Sequence, residues 1–233
     1  MILAMDTSTD LCSIIVIANE KTKSKIKTHL KQVHAEKIIF MIEQALGNIN
    51  KTINDISSVA ISIGPGSFTG LRIGLSVAKG LCYALGKPLI TVPTLDAMAE
   101  SVFNICSLIS KYNKTEIYIC PMLNAKQNDF YYSIYRFNEN KIERIDEYQI
   151  GTADDLKRQL KGKTILLGDA VEFVAENFYN QDDIILFGEE FNYPDAYYVA
   201  KIARKKYENG EFADLNSTEP LYIKEFVVKT KEI

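Results

Sequence analysis

Ile2 to Met5 is an unbroken apolar run that stops at Asp6-Thr7-Ser8-Thr9-Asp10, the pattern of a short buried strand and a polar turn. Leu11 to Ala18 follows, β-branched through Ile14, Ile15, Val16 and Ile17, and reads as a second strand. Polar and charged residues then dominate Lys23 to His29, predicting a third. From His34 to Leu46 the period changes to that of a helix, with Ala35, Ile38, Ile39, Ile42, Ala45 and Leu46 on one side. Val59 to Ile63 is a buried strand, closed by Gly64-Pro65-Gly66-Ser67. Ser67 to Leu85 is helical, with Gly86 and Pro88 as stop signals. A strand at Leu89 to Val92 and a helix from Leu95 to about Ile109 complete the first half.

Lys111 to Lys114 reads as a linker. Beyond it, strands are predicted at 117–123, 129–136, 141–150 and 164–167, and helices at 152–160, 170–177 and 194–209, the last ended by Gly210. This divides the chain into a first domain, 1–110, and a second, 111–233, whose last segment is expected to pack back on the first. An opening β-β-β-α-β-α run is the unit of the actin, Hsp70 and sugar-kinase superfamily. The expected fold is therefore α/β and actin-like (ribonuclease H-like), each domain a mixed sheet with flanking helices.

The chain's 27 basic and 30 acidic residues leave a net charge of −3, so its surface as a whole does not match a phosphate backbone. Lys21, Lys23, Lys25 and Lys27 alternate along the third strand and share a face, which reads as a solvated sheet face rather than an RNA track. The four cysteines have no C-x-x-C spacing and the two histidines, His29 and His34, are five apart, so neither a zinc ribbon nor a two-histidine metal site is expected. No apolar run is long enough to cross a membrane and no signal peptide opens the chain, which leads to the expectation of a cytoplasmic protein.

Two loops could carry chemistry. Asp6, Thr7 and Ser8 form a tight turn whose hydroxyls and amides could cradle a phosphate, or simply close a hairpin. Gly64, Gly66 and Ser67 lie between a strand and a helix start, where free N–H groups and the helix dipole favour an anion. The loop is neither a Walker A nor a G-x-G-x-x-G sequence. In the helix that follows, Gly66, Gly70, Gly74, Ala78 and Cys82 make a stripe of small residues. Three glycines within the helix (70, 74 and 80) cost about 2–3 kcal/mol relative to alanine, so another backbone must come close in return. That backbone belongs either to the chain's own sheet or to another protein. The helix from His34 is apolar on more than one face through Ile38-Ile39-Phe40-Met41-Ile42, wider than burial on one sheet requires. The residues expected at a partner surface are therefore His34, Ile38, Met41 and Ile42 on one helix, with Gly70, Arg72, Ile73, Gly74, Val77 and Ala78 on the other.

Several blocks resemble the TsaB (YeaZ) family: Ala4-Met5-Asp6-Thr7-Ser8-Thr9, His34-Ala35-Glu36, and above all Gly64-Pro65-Gly66-Ser67-Phe68-Thr69-Gly70-Leu71-Arg72-Ile73-Gly74 with Ala78-Lys79-Gly80-Leu81. Gly168-Asp169-Ala170 and Pro220-Leu221-Tyr222-Ile223-Lys224 follow in the family's order, while 138–162 matches weakly. The resemblance implies an actin-like, non-catalytic subunit of the tRNA threonylcarbamoyladenosine synthase complex. Such a subunit forms a heterodimer with its catalytic paralogue TsaD through its first two helices. TsaD carries out N6-threonylcarbamoylation of the adenosine next to the anticodon. It also implies docking of the ATPase TsaE, a homodimer when TsaD is absent, tRNA met only through the complex, and no cofactor in the lone chain, with ATP entering only in the assembly.

TsaD-like chains hold a metal with two histidines four apart; Thr94 and Met98 stand at those places here. The family's Asp-Ala-Arg is Asn124-Ala125-Lys126, ahead of Asn128-Asp129-Phe130-Tyr131, which removes a carboxylate from any acid–base scheme. The competing expectation is an ATP-dependent kinase or ATPase acting alone through Asp6, Thr7 and Ser8. A protease is disfavoured, because Ser67 has no histidine partner identifiable in the sequence.

Overall fold

The computed structural model describes residues 1–19, 21–29, 35–113, 116–126, 129–178 and 181–223. The first sheet comprises β1 (Ile2–Asp6), β2 (Leu11–Ala18), β3 (Lys21–His29), β4 (Ser58–Ser62) and β5 (Leu89–Val92), in the order β3-β2-β1-β4-β5. β1 to β3 form an antiparallel meander, while β4 and β5 run parallel to β1. Strand alternation gives the sheet two apolar faces. Leu3, Met5, Ile14, Val16 and Ile61 meet α1 (Ala35–Gly47) and α2 (Phe68–Leu85). Ile2, Ala4, Ile15, Ile17 and Ala60 face the other way. Burial on both sides is why β1 and β2 read as continuous apolar runs. β3 is the sheet's edge, and its lysines protect it from pairing with another chain.

Ser67 caps α2, its Oγ accepting from the Gly70 amide at 3.3 Å, and Gly86 ends the helix in the left-handed region at φ 61°. The helix expected over 95–109 is instead two, α3 (Thr94–Ser101) and α4 (Phe103–Asn113), broken at the buried Val102. The break lets Leu95, Met98, Val102 and Cys106 reach the same core. No glycine or proline marks it.

The second sheet is built around the long β6 (Ile117–Lys126). Its first half pairs with β8 (Tyr135–Asn138) and its second with β7 (Asp129–Tyr132). β8 continues to β9 (Lys141–Arg144), and β7 to β10 (Gln149–Gly151). The expected strands over 129–136 and 141–150 are each divided, because one long strand serves two partners. α5 (Ala153–Gln159) precedes β11 (Lys163–Leu167), which lies parallel to β6, and the short α6 (Val171–Val174) follows. β12 (Ile184–Leu186), parallel to β11, has no counterpart in the sequence reading; three residues are too few to show a period.

The two halves exchange elements. α3 packs into the second core with Ile117, Ile119 and Ile165. α7 (Ala196–Glu208) instead lays Ala196, Val199, Ala200 and Ala203 on the free face of the first sheet. α3 and α7 meet through the Glu100–Lys201 ion pair, 2.7 Å, in a largely buried setting. Asp96 of α3 adds a tie to the second sheet, one carboxyl oxygen accepting from the Tyr135 and Tyr148 hydroxyls at 2.6 and 2.8 Å. After α7 the chain returns along the first sheet, the Ala213 amide donating to Leu89 O and the Leu221 amide to Ile63 O. Among the described residues no helix is long and apolar enough to cross a membrane.

Candidate functional site

The two loops singled out in the sequence come together, and their polar groups bind each other. The Ser67 amide donates to Ser8 O at 2.6 Å, and Thr7 Oγ1 donates to Gly70 O at 2.8 Å. The Ser8 amide and hydroxyl both donate to Asp6 Oδ1, at 3.0 and 2.8 Å. The Gly64 amide donates to Thr94 Oγ1 at 3.1 Å, and the Thr94 amide returns a bond to Gly64 O at 2.8 Å. So the amides of Ser8, Gly64, Ser67 and Gly70 are engaged within the chain.

The small stripe of α2 is what permits this seating. A β-carbon on Gly70 would lie 2.1 Å from Thr7 O, and one on Gly74 would lie 2.1 Å from Thr7 Oγ1. Gly66 is similarly pressed on Ser8 O. Of the two surfaces the sequence left open for the stripe, the chain's own β1–β2 turn is the one it meets.

That geometry places most of the expected partner residues inside the lone chain. Ile38, Met41, Ile42, Val77 and Ala78 belong to the core beneath α1 and α2, and Gly70 and Gly74 are buried against Thr7. None of these seven presents a surface. Ile73 is half-buried, Arg72 is exposed, and His34 lies outside the described residues. What the two helices do expose is Ile39 (41%), Phe40 (64%) and Tyr83 (86%). The excess apolar width of α1 was legible in the sequence; which of its apolar positions turned outward was not.

Asp6 is wholly buried, and its Oδ2 has no hydrogen-bond partner, nor does Ser62 Oγ at the end of β4. Burial raises the Asp6 pKa, the nearby Ser62 hydroxyl and the Ser8 bonds oppose the rise, and the charge of Asp195 adds to it. Asp195 caps α7, accepting from the Tyr197 amide at 2.9 Å, and pairs with Lys25 and Lys27 at 2.5 Å each. Burial pulls its pKa up, but the lysine bonds outweigh this and leave it lowered.

An acid whose folded pKa is raised holds its proton more tightly in the native chain. Its contribution is present at low pH and is lost as pH rises from the ordinary 3.8 through the folded value. Asp6→Asn, which keeps the acceptor for Ser8, is accordingly expected to melt higher than wild type at pH 8, with the gain shrinking by pH 4, close to the ordinary 3.8. A variant-minus-wild-type difference that stays constant between the two pH values would rule out this linkage.

Beside the second sheet, Asp169 of the Gly168-Asp169-Ala170 block accepts from the Asn124 amide at 2.8 Å. Burial raises its pKa, and the like charges of Asp10 and Glu172 add to the rise. Anionic groups therefore gather where the β1–β2 turn approaches the second sheet. Thr94 and Met98 are both buried, and Thr94 is occupied with Gly64. Among the described residues no group of three or more His, Cys, Asp or Glu side chains is placed to hold a metal.

A family model described as "TsaD: tRNA N6-adenosine threonylcarbamoyltransferase" matches residues 17–208. The tRNA threonylcarbamoyladenosine biosynthesis protein TsaB of Buchnera aphidicola subsp. Schizaphis graminum is 34% identical over 173 residues, 72% of this chain and 78% of that protein. The Escherichia coli K12 protein of the same name is 26% identical over 234 residues, 99% and 97% of the two chains. Among solved structures, YeaZ from Pseudomonas aeruginosa superposes with a TM-score of 0.79 at 19% identity, covering 95% of this chain and 98% of that one. The two mixed sheets with flanking helices are thus those of the YeaZ fold.

Proposed function

Since the chain belongs to the TsaB family of tRNA threonylcarbamoyladenosine biosynthesis proteins, we propose that it serves that pathway as a non-catalytic subunit, pairing with a TsaD-type transferase. The transferase carries out N6-threonylcarbamoylation of the adenosine beside the anticodon. The observation that supports this reading most is the self-engagement of the two loops. With Ser67 N on Ser8 O and Thr7 Oγ1 on Gly70 O, polar groups of both loops that could meet a nucleotide phosphate are bonded to each other. Anionic Asp10, Asp169 and Glu172 nearby add repulsion for a phosphate.

The exposed Ile39, Phe40 and Tyr83 on α1 and α2 supply apolar surface that a second subunit would cover. In the absence of the transferase, a second copy of the chain covers it instead. TsaE joins the assembled pair, and tRNA and ATP are met there rather than by the lone subunit. An ATP-using enzyme acting alone, the alternative reading, is weakened by the same closed loops.

The test is co-expression with the TsaD homologue of the same cell, co-purification, and nucleoside analysis of tRNA after reconstitution with and without this chain. A stable complex is expected, with modification that needs both proteins. Robust ATP turnover or tRNA modification by the pure chain would reverse the conclusion.

A further inference from the structure

The outer flank of α2 carries a guanidinium that is already held in place. Arg72 is exposed, yet its Cζ lies 3.8 Å from the centre of the Phe68 ring, one turn earlier on the helix. Its Nε–H donates to the Tyr222 hydroxyl oxygen at 2.8 Å, and the Phe68 and Tyr222 rings meet at 5.3 Å. Tyr222 arrives from the far end of the chain, fixed by the bond from the Leu221 amide to Ile63 O at 2.7 Å.

A surface arginine ordinarily gives up rotamer freedom on binding, and prior ordering removes that penalty. Stacking on one ring and bonding Nε to the other engages neither Nη nitrogen, the pair that matches a carboxylate end-on, in a hydrogen bond among the described residues. Among the described residues the fork has no ion-pair partner, and α2 contains no acidic residue to supply one.

We propose that Arg72 anchors a protein–protein interface: its Nη fork takes a carboxylate side chain of the partner subunit, and Tyr222 is a positioning residue that presets the fork. The proposal rests on the pairing put forward above and adds the chemistry of the partner's contact. A protein carboxylate fits better than an RNA phosphate. Binding along a phosphate backbone needs a track of cations, whereas α2 offers only Arg72 and the half-buried Lys79. Its neighbours are the Phe68 and Tyr222 rings, and arginine among aromatic residues is the composition of protein hot spots.

Calorimetric titration of the full-length chain into the cognate TsaD-type transferase tests this. Arg72→Lys keeps the charge but loses the fork and the stacking, and is expected to weaken binding about 30-fold. Tyr222→Phe keeps the ring and loses only the hydroxyl, and is expected to weaken it about 5-fold. In an Arg72→Ala background, Tyr222→Phe should have no further effect, which a merely structural role for Tyr222 would not produce. All variants should melt like wild type. If wild type itself does not bind, the pairing and this inference fall together. If wild type binds and Arg72→Lys binds equally well, the pairing stands and the anchor is refuted. If the lone chain retains tRNA on a filter in an Arg72-dependent way, the fork serves phosphate and the proposal is overturned.

Discussion

Gly70→Ala is expected to lower the stability of the folded chain by about 3 kcal/mol, although alanine is the better helix former. Propensity alone would favour the substitution by about 1 kcal/mol. Against it stands the new β-carbon, 2.1 Å from Thr7 O, a backbone atom that cannot move without carrying the β1–β2 turn away from α2. Overpacking of this kind costs about 1–3 kcal/mol and sometimes more, and here the Ser67–Ser8 and Thr7–Gly70 bonds are disturbed as well. For a chain of this length the loss corresponds to a fall of roughly 10 °C in the melting midpoint. Gly80→Ala is the internal control: it sits in the same helix, exposed, with nothing within 4 Å of the added carbon. That change should raise the midpoint by about 2 °C. Thermal melts of the two variants decide the matter; if Gly70→Ala also stabilises, the turn is not seated on α2 as described. Loss of partner binding in any Gly70 or Gly74 variant would then trace to a disrupted subunit rather than to a missing contact.

Phe40→Asp is expected to do the reverse: leave the subunit intact and weaken its complex with the transferase by about 100-fold. Phe40 is 64% exposed on α1, so removing it opens no cavity, and surface changes of this kind shift stability by about 0.5 kcal/mol at most. If the second subunit covers Ile39 and Phe40, a carboxylate there would be desolvated without a partner, a change worth about 2–4 kcal/mol at an interface centre. Ile38→Asp makes the contrast, since Ile38 is fully buried among Met5, Ile14 and Leu75 and a charge there should unfold the chain. Calorimetry beside a melting curve distinguishes the two cases. Unchanged affinity for Phe40→Asp would remove this face of α1 from the proposed interface.

The two helices show how far the sequence could be read. The small-residue stripe of α2 is a local four-residue repeat and was visible, as was the demand that something approach it closely. Its target was not, because Thr7 is 63 residues from Gly70 along the chain and no local pattern encodes that meeting. The apolar excess of α1 was visible too. Ile38, Ile39, Phe40, Met41 and Ile42 are consecutive and all apolar, so hydropathy ranks them alike; only the angle at which α1 lies on β2 and β3 separates Ile38, Met41 and Ile42 inside from Ile39 and Phe40 outside. Arg72 was legible as a candidate, but not its ordering by Tyr222, 150 residues away.

What the sequence determined by itself was the five strands of the first sheet with α1 and α2, the stop at Gly86, and the family, because periodicity, stop signals and motif order are properties of neighbouring residues. The tertiary structure alone decided that α3 and α7 change sides, that β6 serves two partners, and that the two candidate phosphate loops close on each other. Each of these depends on hydrogen bonds and packing between segments far apart in the chain, whose energies are set by the assembled geometry and leave no period in the sequence.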